Sequence, residues 1–422
     1  MRPAAHVDAS LPPTRLSRHL GLVDAVFIGL GAMVGAGIFA ALAPAAQAAG
    51  QGVLISLLVA AAVAYGNATS SATLAATYPE AGGAYAYGRH CLGGLWGFVA
   101  GWCFIVGKLA SCAAMALTFA AYTLPASPRW AAVAAIIVVT AINRAGVAKT
   151  AMATRVIVVA VVTSLAVIVF AGAFGGAADV GRARPSMTTG VHGILQGAGF
   201  LFFAFAGYAR IATLGEEVVD PARTIRGAIP VAFGLALALY FVVALTSLAA
   251  LGAGGLAAAG APLAATVESG RHASWSPVAR VGAAIASLGV LLSLQAGVSR
   301  TAFAMARNGD LPRWLSSVHP LHRVPDRAVL AAAAILVAVV VATDISNAIG
   351  FSSFAVLVYY SIANASALTL RDAWPRHALA VLGLAGCGLL AASLPTATVM
   401  GGAGLVAIGT AAYALQRHLR RP

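Results

Sequence analysis

VFIGLGAMVGAGIFAALAPAAQAAG (residues 26–50) is an apolar run long enough to cross a bilayer, yet four glycines, Gly29, Gly31, Gly35 and Gly37, stand in its middle, and Pro44 lies beyond them. Glycine is the poorest helix former after proline, so the cluster predicts that this span breaks near residues 35–37. A second stretch, GILQGAGFLFFAFAGYARIATLGEE (193–217), is interrupted in a similar way, with Gly207 followed closely by Arg210.

The composition around these stretches fits a membrane protein. The chain has 422 residues, of which 60% are hydrophobic and only 9% charged, with a mean hydropathy of +0.90. A soluble domain carries about a quarter charged residues, so the polar surface needed to cover a soluble globule is missing. Dividing the chain at charges, prolines and polar clusters predicts an all-α integral membrane protein of about twelve spans. They lie near 22–48, 52–76, 92–122, 130–142, 156–174, 191–214, 228–252, 276–304, 328–343, 348–369, 377–393 and 396–415, the fourth and ninth being short.

An even number of spans places both termini on one side, and positive charge selects the side. With the termini cytoplasmic, 19 of the 26 Lys and Arg residues fall in cytoplasmic segments and five outside. That asymmetry accounts for the formal charge of +14 without an anionic partner such as nucleic acid. The four cysteines, Cys91, Cys103, Cys112 and Cys387, show no CxxC or Cys/His spacing, so neither a disulfide frame nor a metal site is expected. The N-terminal tail lacks the arrangement of a cleavable signal and is expected to be retained in the cytoplasm.

The two broken spans are the first and the sixth. An offset of five, an odd number, means that a repeat of that length inserts upside down relative to its twin. Paired interrupted helices in corresponding positions of inverted halves point to a midplane transport site. Unwinding a helix in lipid exposes backbone groups at a cost of several kcal/mol each unless something satisfies them. A zwitterionic ligand can: N–H groups at the positive end of a half-helix suit a carboxylate, and freed carbonyls suit an ammonium. The spacing of Gly31 and Gly35 alone reads equally well as a close helix crossing; the matching break in the sixth span favours the ligand.

Four blocks then resemble the amino acid–polyamine–organocation permeases: GAMVGAGIF (31–39), PEAGGAYAYGRHCLGGLWGFVAGW (79–102), FFAFAGYARIATLGEEVVDPARTI (202–225) and SRTAFAMARNGDLPRWLSSVHPLHRVP (299–325). The resemblance implies a leucine-transporter-like fold of two inverted five-helix repeats plus two helices. Its parts would be a cytoplasmic tail at 1–21, repeats at 22–174 and 191–369, additional helices at 377–415 and a cytoplasmic tail at 416–422. It further implies secondary transport of amino acids or related amines across the cell membrane. By position, Gly35 and the backbone of Ala36, Gly37 and Ile38 would meet the substrate carboxylate. Phe205, Ala206 and Gly207 would offer carbonyls to its amino group, and Phe203 and Tyr208 would gate or line the pocket.

Proton-coupled relatives carry a lysine in the middle of span five. Here GVAKTAMATRVIVVAVVTSLAV (146–167) has none at the matching Val161 to Thr163, leaving Thr163 and Ser164 as hydroxyl candidates for an ion contact. Instead Lys108 stands in the third span, GWCFIVGKLASCAAM (101–115), without a nearby acid in sequence. Intramembrane ionisable groups face a cavity or a partner, so Lys108 is the candidate to carry a coupling proton or to meet an anionic group of the substrate. Arg210 is expected to pair with Glu216 or Glu217 or to close the cytoplasmic gate.

All twelve Asp and Glu residues fall in tails, loops or span ends, which favours neutral or acidic amino acids over cationic cargo. No cofactor or metal is expected, and a proton rather than sodium is the expected coupling ion. The partners expected are a small amino acid and the lipid bilayer, with no nucleic acid and no obligatory protein. Exchange, amine or polyamine transport and a non-transporting amino-acid sensor are the alternatives. A channel would need rings of polar pore-lining residues, and an enzyme would need a catalytic constellation at membrane depth that is not found in the sequence.

Overall fold

The computed structural model describes residues 21–35, 37–78, 82–146, 151–208, 211, 218–370 and 374–419. It is built of helices. The first span is two short helices, α1 (Leu22–Met33) and α2 (Gly37–Ala49). Then follow α3 (Val53–Thr77), a short α4 (Ala84–Cys91), α5 (Gly94–Thr123), α6 (Pro128–Arg144) and α7 (Ala151–Phe174). The second half holds α8 (Gly190–Phe205), α9 (Pro221–Ala258), the short α10 (Pro262–Glu268), α11 (Ser276–Arg307), α12 (Asp326–Ala342), α13 (Ile345–Leu368), α14 (Trp374–Ser393) and α15 (Thr396–Leu419).

Among the described residues, nine stretches are long and apolar enough to cross a membrane by length and composition. The predicted fourth and ninth spans are α6 and α12, each of 17 residues. At about 1.5 Å per residue such helices fall just short of a hydrocarbon core of about 30 Å. Start signals are local: Pro128 opens α6, and the Asp344 carboxylate caps α13 by accepting from Asn347 N–H at 2.8 Å.

The 30-residue α5 is the axle of the bundle, packed along α11 and α13. Its inward stripe is small or aliphatic, which lets those helices approach closely: a Cβ on Gly107 would lie 3.0 Å from Ala355 Cβ. The two broken spans lie side by side, α2 on α8 and α1 on α9, with α3 against α8. Helices α14 and α15 close the periphery, α14 on α3 and α13, and α15 on α5 and α13. The apolar core is continuous through all these layers, with Phe39, Leu57, Phe202, Phe205 and Tyr240 among its fully buried side chains.

Candidate site at the two broken helices

The first break opens after Val34 N–H has made the last bond of its helix to Leu30 O at 2.6 Å. Backbone direction changes at Val34 (φ −72°, ψ 27°), and a new helix starts at Gly37. Helix α8 ends at Phe205 and tightens into a single 3₁₀ turn over Ala206–Tyr208.

The two breaks touch through backbone. A Cβ on Gly37 would sit 2.6 Å from Ala204 Cα, and one on Gly207 would run into the Ala32 carbonyl and come within 2.7 Å of Met33 N. No residue but glycine fits at either place without moving main chain. Gly31 and Gly35 face different helices, Gly31 meeting Val158 of α7 and Gly35 meeting Val290 of α11, so they do not form one small-residue seam to a single partner.

The contact brings opposite helix ends together. The positive N-terminus of α2 lies at Gly37, beside the negative C-terminal end of α8 at Ala204, while the C-terminal end of α1 lies against Gly207. Such a junction matches the two charges of a zwitterion. Part of the freed backbone is already satisfied by tyrosines. The Tyr240 hydroxyl, projecting from the middle of α9, donates to Met33 O and lies 3.2 Å from Ala204 O, so it bridges both breaks. Tyr360 of α13 donates to Ala206 O at 3.4 Å.

Of the residues singled out from the sequence, Ile38, Phe205 and Tyr208 are fully buried at the junction, and Phe203 is half-buried. The Phe205 ring stacks on Phe233 with centroids 5.1 Å apart and meets Tyr240 edge-on, so its side chain belongs to the core beneath the turn. Ala36, Arg210, Glu216 and Glu217 lie outside the described residues. Lys108 is buried in α5 and makes no ion pair or hydrogen bond among the described residues. Ser164 donates to Val278 O of α11 at 3.0 Å, and Thr163 points to the exposed face of α7. Neither hydroxyl is brought to the break, because α7 turns Val158 and Val161 inward instead. Those two valines line a cavity with Val34, Gly35, Gly289 and Val290 that has room for about one water. Among the described residues no cluster of His, Cys, Asp and Glu could hold a metal ion.

Sequence reasoning missed the tyrosines. A lone tyrosine in a long apolar run, as Tyr240 is in ALALYFVVAL (236–245), needs a partner for its hydroxyl, and that was the available signal. Tyr122 in α5 is a further case: its hydroxyl donates to Phe39 O of α2 and accepts from Leu263 N–H of α10, both at 3.1 Å.

Comparison with known proteins identifies the family. An uncharacterized transporter of Mycobacterium tuberculosis is 55% identical over 411 residues, covering 97% of this chain and 93% of its own. A branched-chain amino acid permease of Bacillus subtilis is 25% identical over 334 residues, 74% of this chain and 71% of its own. Cationic amino acid transporter 7 of Arabidopsis thaliana, chloroplastic, is 28% identical over 383 residues, 83% and 65% respectively. The sequence pattern of the amino acid permease family matches residues 20–414, nearly the whole chain. The resemblance drawn from four short blocks therefore holds across the molecule: the chain is a multi-pass membrane transporter, not an enzyme, and it belongs to the amino acid permease family.

Proposed function

We propose that the chain is a secondary active transporter that moves amino acids across the cell membrane by proton-coupled symport, taking neutral or acidic substrates in preference to cationic ones. One observation carries this reading: the N-terminus of α2 and the C-terminal end of α8 meet at the contact of Gly37 with Ala204. Gly35 to Ile38 would hold the carboxylate, Phe205 to Gly207 would hold the ammonium, and Phe203 and Tyr208 would face the side chain.

The corresponding architecture has twelve spans in two inverted repeats, 22–174 and 191–369, with helices at 377–415 and both termini cytoplasmic. The helix order supports it, since the breaks fall five spans apart. Selectivity follows from charge. Asp24, Asp179, Asp220, Glu268, Asp310, Asp326 and Asp344 all sit at helix ends or in loops, so no described carboxylate lies where a cationic side chain would need one. The Bacillus relative is named for branched-chain amino acids, which fits, whereas the Arabidopsis relative is named for cationic ones.

Lys108 is the proposed coupling group, as a buried amine without an ion partner among the described residues. A thermal-shift screen of the L-amino acids and polyamines on purified protein tests the substrate. Uptake of any stabilising compound by proteoliposomes, with and without a proton gradient, then tests the mechanism. Stabilisation by arginine, lysine or polyamines alone would refute the selectivity reading. Lys108→Met is expected to abolish the pH dependence of uptake, and unchanged pH dependence would remove Lys108 from the mechanism.

A further inference from the structure

Where α3, α13 and α14 meet the turn at Ala206–Tyr208, a polar cluster is buried in the apolar core. Asn67 and Asn364 have no solvent exposure. Asn364 Nδ2 donates to Asn67 Oδ1 at 2.6 Å and to the Tyr360 carbonyl at 2.9 Å, which uses both amide hydrogens and sets the orientation of the amide. Asn67 Nδ2 in turn donates to Cys387 Sγ at 3.2 Å.

Two groups at this cluster are left over among the described residues. Asn364 Oδ1 accepts nothing, and the Tyr208 hydroxyl makes no hydrogen bond of good geometry, only a weak polar contact with the Tyr360 hydroxyl. Unmade bonds at such depth are costly and call for a physical reason. One group is an acceptor and the other a donor. Their frames are adjacent: the Tyr208 and Tyr360 rings lie 5.2 Å apart, and Asn364 follows Tyr360 by one turn on the same face of α13. A guest has no room on the α14 side, because even a methyl group on Gly383 would come within 2.7 Å of both amide oxygens.

We infer that the missing partner of each group is the other: as the carrier passes to its opposite-facing state, the 206–208 turn shifts and the Tyr208 hydroxyl donates to Asn364 Oδ1. Asn364, held by Asn67, is then a positioning residue that stabilises the moved turn. This rests on the proposed role of the α8 break in substrate binding.

The test uses full-length protein in proteoliposomes, with uptake of a ¹⁴C-labelled mixture of L-amino acids and, separately, hydrogen–deuterium exchange of residues 200–208 without any substrate. Tyr208→Phe fills the same space and removes only a hydroxyl whose one contact in the present state, with Tyr360, is weak, so thermal stability should not fall appreciably. Turnover should drop about fivefold, because the bond exists only in the other state. Exchange should slow about fivefold in the same variant, since the alternate state is depopulated.

Asn364→Ala should also slow turnover, and combining it with Tyr208→Phe should slow it no further than the worse single change. If Asn364→Ala fails to fold, Tyr208→Phe decides alone. Unchanged turnover and exchange in Tyr208→Phe, or fully additive losses in the double variant, would overturn the inference. Exchange needs no substrate, so a wild-type protein that takes up no amino acid but shows the exchange effect counts against the amino acid reading and leaves this one standing.

Discussion

Tyr240 shows at residue scale how a broken helix is made affordable in lipid. Its hydroxyl reaches Met33 O and Ala204 O, two carbonyls that the breaks would otherwise leave without a partner. Tyr240→Phe keeps the ring that packs on Phe205 and removes only the bond. Leaving such carbonyls buried and unmet costs about 1–3 kcal/mol, so the variant should melt earlier in a thermal unfolding scan while α9 stays helical by circular dichroism. An unchanged melting temperature would mean that another group satisfies Met33. The glycines at 37 and 207 were legible in the sequence because glycine is informative by itself. Tyr240 was not, since its two acceptors lie 207 and 36 positions away along the chain.

At the scale of elements, the short helix α4 is clamped rather than merely connected. Arg89 pairs with the buried Asp310 at 2.5 Å, and Tyr85 donates to the same carboxylate oxygen at 2.8 Å while accepting from Asn308 at 2.8 Å. Beneath the clamp, a Cβ on Gly101 would meet Tyr85 and Met305, both at 2.7 Å, and Ala84 N–H donates to the Tyr359 hydroxyl at 3.0 Å. Helix α4 is thereby fixed to α5, to the end of α11 and to α13. Removing one partner of a buried pair leaves the other uncompensated; with Arg89 partly exposed, Asp310→Ala should cost about 2 kcal/mol. Amide exchange should rise in residues 84–91 before the rest of the protein responds, and exchange confined to other regions would show that α4 is held by packing alone. Both partners lie in sequence blocks that resembled the family, 79–102 and 299–325, but the sequence showed only that each block was distinctive. Their meeting across 221 positions is a tertiary fact.

For the whole molecule, both ends of the bundle are tied by ion pairs, joined at one end by the Tyr122 hydroxyl. At the end where α5 begins lie the ion pairs Asp24 with Arg155, Arg144 with Asp326 and Arg89 with Asp310. At the opposite end α10 is held by Tyr122 and by Glu268, which accepts from Ser276 at 2.7 Å and from Arg280 at 2.8 Å. The Ser276 hydroxyl, with the Arg280 guanidinium behind it, holds the Glu268 carboxyl below its ordinary value. A depressed carboxyl stabilises the fold above the unfolded value of about 4.3 and loses that contribution as pH falls through the lower folded value. Acid should therefore loosen residues 262–268, read as faster amide exchange below about pH 4, and Glu268→Gln should show the loosened behaviour already at neutral pH. A pH-independent α10 would assign its attachment to Tyr122 alone. By itself, the sequence determined membrane residence, the positions of the apolar helices and the place of the two breaks, because hydrophobicity and glycine act over neighbouring residues. Which helix ends face each other, which tyrosines satisfy them, that Thr163 turns outward and that Asn364 Oδ1 and the Tyr208 hydroxyl are left without a well-formed hydrogen bond were decided only by the tertiary structure. Those contacts join residues tens to hundreds of positions apart, and a local pattern carries no record of its distant partner.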